Sequence, residues 1–263
     1  MARRGLLFLG LLALALIVQA PATLLDTAVQ SISRDNLRLL AAEGSLWHGQ
    51  GRLASRDPVT NSALPWLALS WDFAPLALFA GEFSWSLRSG GQLIGVAALG
   101  PGGLKLRQVQ LQAPATVLAA IPSALTRAGW GGSLHLAIDE LQCSFDQLCQ
   151  GDLALRWYGV SSSLFPGRSF GDYEVRGLAQ GRNISLNVQT LRGETQLAGS
   201  GSVVGRDFAF KGSIQGPEDF VRRLPGIAGG SVCPEETSGR LSINLPASRA
   251  ECPLRPAWVK AAG

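Results

Sequence analysis

From Gly44 onward the chain alternates apolar and polar residues in runs of about eight, many opened by a glycine. Gly44–Leu53 reads as a first strand. Leu67–Phe73 alternates as a second. Glu82–Leu87 follows as a third, with Phe83, Trp85 and Leu87 on one face. Val96–Leu99 and Leu104–Leu111 continue the meander. Later runs are Ser133–Leu141, Gly151–Tyr158, Tyr173–Ala179, Asn183–Thr190, Glu194–Val203, Phe208–Ile214 and Arg240–Leu245. Helical spacing interrupts this rhythm at Pro114–Arg127 and again at Pro217–Leu224; Pro75–Ala80 reads as a short apolar helical turn started by proline and stopped by Gly81. The pattern predicts a mainly β fold, an antiparallel meander with a few short helices. A loose internal duplication is expected, with its seam near residues 112–130.

Upstream of Gly44 the pattern differs. Arg3 and Arg4 precede an uncharged run from Gly5 to Leu25. Two arginines before about 20 apolar residues predict one membrane helix over residues 5–25, with the tip held in the cytoplasm. A cleaved signal peptide is the other reading, with small residues at Val18-Gln19-Ala20 and Ala20-Pro21-Ala22. Proline after the first cut disfavours cleavage, and the run outlasts an ordinary signal core. Either way the remainder is exported, which for a bacterial chain means the periplasm. Residues 26–43 are expected as a juxtamembrane helix, 44–250 as the periplasmic β-rich domain, and 251–263 as an irregular tail.

Composition narrows the function classes. The net charge of +4 is spread without a basic run, which gives no nucleic-acid footprint. Four cysteines in an exported chain predict disulfides. Three pairings are open, and the two local ones, Cys143 with Cys149 and Cys233 with Cys252, are expected. No C-x-x-C occurs, and His48 and His135 lie far from any cysteine, so neither metal nor cofactor is expected.

No catalytic constellation stands out. Both histidines sit in strand-like runs, and G-x-S-x-G, H-E-x-x-H and P-loop motifs are absent. Asp139 and Glu140 are strand neighbours, so they point to opposite faces and do not flank one substrate. The chain reads as a non-enzyme. Trp47, Trp71 and Trp85 fall on three successive predicted strands. They predict either a shared core on one sheet face or an apolar groove for a partner strand or lipid chain.

These residues carry a resemblance. The uncharged N-terminal run is followed by Gly44-Ser45-Leu46-Trp47-His48-Gly49-Gln50-Gly51, then a strand ending in Trp71, then a turn containing Pro75 ahead of a strand led by Gly81. This layout resembles protein N of the bacterial type II secretion system. The resemblance implies a single-pass accessory component in the inner membrane, part of the machine that exports folded proteins across the outer membrane. It implies other secretion subunits as partners, no catalytic residues, and structural roles for Trp47, Gly49, Trp71 and Pro75. The alternative is a periplasmic lipid-binding or lipid-transport module, with its repeated strands forming an apolar groove. A filled tryptophan core favours the first. An open face of Leu and Val favours the second.

Overall fold

The computed structural model describes Ala15 and residues 18–33, 35–56, 62–120, 129–205, 207–222, 232–235 and 239–245. The fold is mainly β: fourteen strands in antiparallel pairings, with a few short helices. The chain divides into two compact units, Met1–Pro101 and Gly102–Gly263.

The first unit holds helix α1 (Thr23–Ser33) and strands β1 (Leu37–Gly44), β2 (His48–Arg56), β3 (Ala63–Phe73), β4 (Phe83–Ser89) and β5 (Gln92–Gly100). A 3-10 turn, Pro75–Ala80, joins β3 to β4. Each strand pairs with the next. The register puts Leu39, Leu53 and Leu67 in one cross-strand row, and Gly49, Trp71 and Leu87 in another. Phe73 and Trp85 share that face. Arg52, Ser70, Asp72 and Arg88 fall on the opposite one. The apolar face needs a cover, and α1 supplies part of it: Ala22 and Leu25 pack with Leu39 and Trp71.

The helix expected over 26–43 ends at Ser33, and Leu37–Gly44 is strand β1. Leu, Arg, Ala and Glu are good helix formers, so local propensity pointed the wrong way. Tertiary pairing overrides it. The backbone N–H of Leu39 donates to Asp26 Oδ1 at 2.8 Å, and Arg38 Nη2 donates to Asp26 Oδ2 at 3.2 Å. Burial alone would raise the Asp26 carboxyl. The hydrogen bonds from Arg38 and the Leu39 backbone, with the charge of Arg38, outweigh it and hold the group below its ordinary value.

Residues 20–25, the end of the uncharged run, belong to this unit. Pro21 bridges to Ser45, and Ala22 is buried. Among the described residues no helix is long and apolar enough to cross a membrane. Most of the span expected over 5–25 lies outside the described residues.

The second unit holds β6 (Gly103–Pro114), β7 (Trp130–Cys143), β8 (Cys149–Ser162), β9 (Ser169–Gly181), β10 (Asn183–Arg192), β11 (Gln196–Val204), β12 (Asp207–Gln215), β13 (Val232–Pro234) and β14 (Arg240–Leu245). Strands β6 to β12 pair in sequence, and β14 lies between β12 and β13. The register builds long apolar rows: Leu136, Leu155, Val175 and Val188 form one, and Ile184 with Val203 lies on the same face. Phe170, Phe220, Val221 and Leu241 form a buried cluster at one end of this face, with Phe165 and Trp157 packed against it. The helix expected at Pro217–Leu224 is helical over 218–222. At the site expected for Pro114–Arg127, Ala115–Ala120 is 3-10, and 121–128 lie outside the described residues.

Candidate functional site

The motif residues converge at one end of the first unit. Gly44 has φ 90°, a left-handed conformation that favours glycine, and it turns the chain out of β1. Trp47 therefore lies in the β1–β2 turn and not on the expected first strand, because that turn occupies Ser45–Trp47 and β2 begins at His48. Ser45 Oγ accepts from the backbone N–H groups of Trp47 and His48 at 3.2 and 3.1 Å. Two indoles then tie the turn down. Trp71 Nε1 donates to Ser45 O, and Trp85 Nε1 donates to Leu46 O, both at 3.1 Å. Gly49 is paired with Trp71, and a Cβ there would meet the indole at 2.5 Å. Clearance for the Trp71 ring thus explains the glycine at position 49.

Trp71 is buried, whereas Trp47 is half-buried. The Trp47 ring sits 4.7 Å from Phe73 and 6.4 Å from both Phe83 and Trp85. Trp47, Phe73, Phe83 and Trp85 form one aromatic cluster at this end of the apolar face, and Trp85 packs in turn against the core that holds buried Trp71. Pro75 opens the 3-10 turn, and Gly81 closes it in a left-handed conformation. Between them Leu76 is 77% exposed and Phe79 92% exposed. The sequence predicts Pro75–Ala80 as a short apolar helical turn, and the structure has a 3-10 turn with those bounds; what the sequence reading does not foresee is its exposure. The signal for more was its composition: Ala74 to Gly81 holds no polar side chain although it is a loop.

In the second unit, Cys143 and Cys149 form a disulfide across the tip of the β7–β8 hairpin, with Cα atoms 4.0 Å apart. Cys233 is also disulfide-bonded. Cys252, the partner expected for it, lies outside the described residues.

The polar face of this unit carries a charge cluster that sequence reading missed. Arg156 Nε donates to Glu174 Oε1 at 2.9 Å, and Arg176 Nε and Gln189 Nε2 both donate to Oε2 at 2.8 Å. The side chain of Glu174 is only 2% exposed. The hydrogen bond from Arg156 chiefly holds its carboxyl below the ordinary value, against burial, with help from Gln189 and Arg176. Both oxygens are occupied, so this carboxylate is a cross-strand tie and is not placed to move a proton. Arg156 pairs with Glu174 across β8 and β9, and Gln189 pairs with it across β9 and β10. Only the register reveals that contact.

Tyr173 is another buried polar group. Its hydroxyl donates to Thr195 O at 2.9 Å and lies 3.2 Å from Phe170 O. Burial, reinforced by Asp172, pushes it up to about 12. His48 lies beside Asp72 on the exposed polar face of the first unit, and His135 packs edge-on against Tyr158 at 4.9 Å. Asp139 and Glu140 lie exposed on β7. Among the described residues no group of three His, Cys, Asp or Glu side chains could hold a metal ion.

Among the described residues the site is an antiparallel meander with an aromatic turn lock, and the Glu174 cluster ties strands together. The family described as type II secretion system (T2SS), protein N, matches residues 35–226, which span most of both units. The chain belongs to that family. No curated protein and no solved structure matches it.

Proposed function

We propose that this chain is an accessory, non-catalytic component of the type II secretion system. It is held at the inner membrane by the part of the uncharged run ahead of Ala20, with both β units in the periplasm. There it acts as a scaffold for other secretion subunits. The observation that carries the reading is the family match over residues 35–226. The geometry supports a scaffold through β1, the outermost strand of the first unit, which pairs only with β2. At the start of β1, α1 already satisfies the outward N–H groups of Leu37 and Leu39, through Ser33 Oγ and Asp26 Oδ1, so a partner strand would add beyond Leu39, beside the exposed Ala41 and Glu43. The test is a deletion strain. Secreted substrates should stay in the periplasm and return to the medium on complementation with the full chain. Unchanged secretion would overturn the reading.

One observation favours a second function. Leu136, Leu155, Val175 and Val188 in the second unit are half-buried, not buried. Such a face suits an acyl chain, and thus the periplasmic lipid-handling alternative. A deletion strain with normal secretion but altered outer-membrane lipid would select it.

A further inference from the structure

We infer that the 3-10 turn between β3 and β4 is a membrane-contacting loop, which inserts Leu76, Leu78 and Phe79 into the interfacial layer of the bilayer that holds the anchor. The inference rests on the proposed reading of an N-terminal anchor.

The first observation is exposure. Phe79 is 92% exposed, Leu76 77% and Leu78 46%, on a loop with no charged or polar side chain from Ala74 to Gly81. Single exposed apolar residues are ordinary, but three on one six-residue turn mark a contact surface. The turn is held rigidly. Ala74 N donates to Ser84 O at 2.8 Å, and Gly81 N donates to Leu78 O at 2.9 Å.

The second observation is position. The chain enters the unit at the same end of the sheet. Leu46 N donates to Ala20 O, and Phe73 N donates to Trp47 O, at 2.8 and 2.7 Å. The 3-10 turn begins two residues after Phe73. Residue 20 and the exposed loop are therefore neighbours through a single turn, Ser45–Trp47.

The third observation is length. Pro21 and Ala22 are fixed to the folded unit, so the free uncharged stretch is residues 5–19. Gln19 N donates to Ala15 O at 3.0 Å, the helical spacing. In the proposed anchor, a helix spanning residues 5–19 would be about 22 Å long. The hydrocarbon core is about 30 Å thick. A short span draws the attached domain down against the membrane or thins the bilayer around it. The end that arrives is the one carrying Leu76 and Phe79. Apolar side chains of this kind settle about 5–10 Å into the headgroup boundary.

The test uses the full oxidised chain in lipid nanodiscs containing brominated phospholipid, with a polarity-sensitive dye on one introduced cysteine. Phe79→Cys probes the loop, Leu12→Cys the anchor, and Gln92→Cys the far end of β4–β5. The inference expects quenching at position 79 that is stronger with bromines near the headgroup than near the chain ends. It expects deep quenching at 12 and none at 92, and loss of quenching at 79 when Leu76→Asp is added. Quenching at 12 with position 79 as wet as 92 leaves the anchor standing and overturns the loop inference, pointing to a protein partner instead. No quenching at 12 overturns the anchor reading and with it the inference, whatever position 79 shows.

Discussion

The two units are built from the same strand pattern but cover their apolar faces differently. In the first, α1 and the Trp47 turn close over Leu39, Trp71 and Trp85, and two indole N–H groups pin the turn in place. In the second, a cluster around Phe170, Phe220 and Leu241 covers one end, and the rows through Leu155 and Val188 stay half-buried. Alternation therefore decides which residues share a face. It does not decide what lies on that face. The first unit is locked by large aromatics and should tolerate their loss badly. The second buries its own aromatics, Phe170, Tyr173, Phe210 and Phe220, at one end, leaves the aliphatic rows beyond them half-buried, and is braced by the Cys143–Cys149 disulfide and a buried carboxylate.

The largest effect should come from Trp71→Ala. It empties a buried ring site and removes a hydrogen bond, at a cost of about 3–5 kcal/mol in urea unfolding of the first unit. The matched change in the second unit, Leu186→Ala, removes a half-buried side chain and should cost less than half of that. Equal losses would break the contrast. Trp47→Ala sharpens it. Its ring is half-buried but packs against three aromatics, edge-on to Phe73 and stacked on Trp85, so about 2 kcal/mol is expected.

Replacing Cys143 and Cys149 by alanine opens a short loop in the second unit. It should lower stability by about 2 kcal/mol in the chain-entropy description. The midpoint of the first unit should not move, which tryptophan fluorescence follows once Trp130, Trp157 and Trp258 of the second unit are replaced by phenylalanine.

The smallest effect is expected at Glu174. Glu174→Gln keeps the shape but loses the charge-assisted bonds, and its arginine partners are half-exposed and rehydrate. The loss should be about 1–2 kcal/mol near neutral pH. The pH dependence has a definite sign. The folded carboxyl lies below its unfolded value, so its contribution is complete above about pH 4.3 and is lost as pH falls through the folded value. Acid unfolding of the wild type should show this limb, and Glu174→Gln should flatten it.

Much of this architecture was readable from spacing. Arg240–Leu245 is strand β14 with those bounds, and Asn183–Thr190 lies within β10. The Cys143–Cys149 bridge also follows from proximity in sequence. What was not readable shares one cause, dependence on a distant partner. Leu37–Gly44 looks helical until Asp26 and β2 claim its backbone. Trp47 looks like a strand residue until the Trp71 and Trp85 indoles hold the turn around it. Glu174 meets Arg156 and Gln189 only once β8, β9 and β10 are in register.

The central claim, a scaffold for secretion subunits, is tested most directly by photo-crosslinking in cells from Ala41 and Glu43, both exposed on the outer strand β1. Mass spectrometry of the products should identify other subunits of the secretion system, captured from these positions. Adducts confined to phospholipid or lipopolysaccharide would contradict the scaffold and turn the account toward the half-open aliphatic face of the second unit.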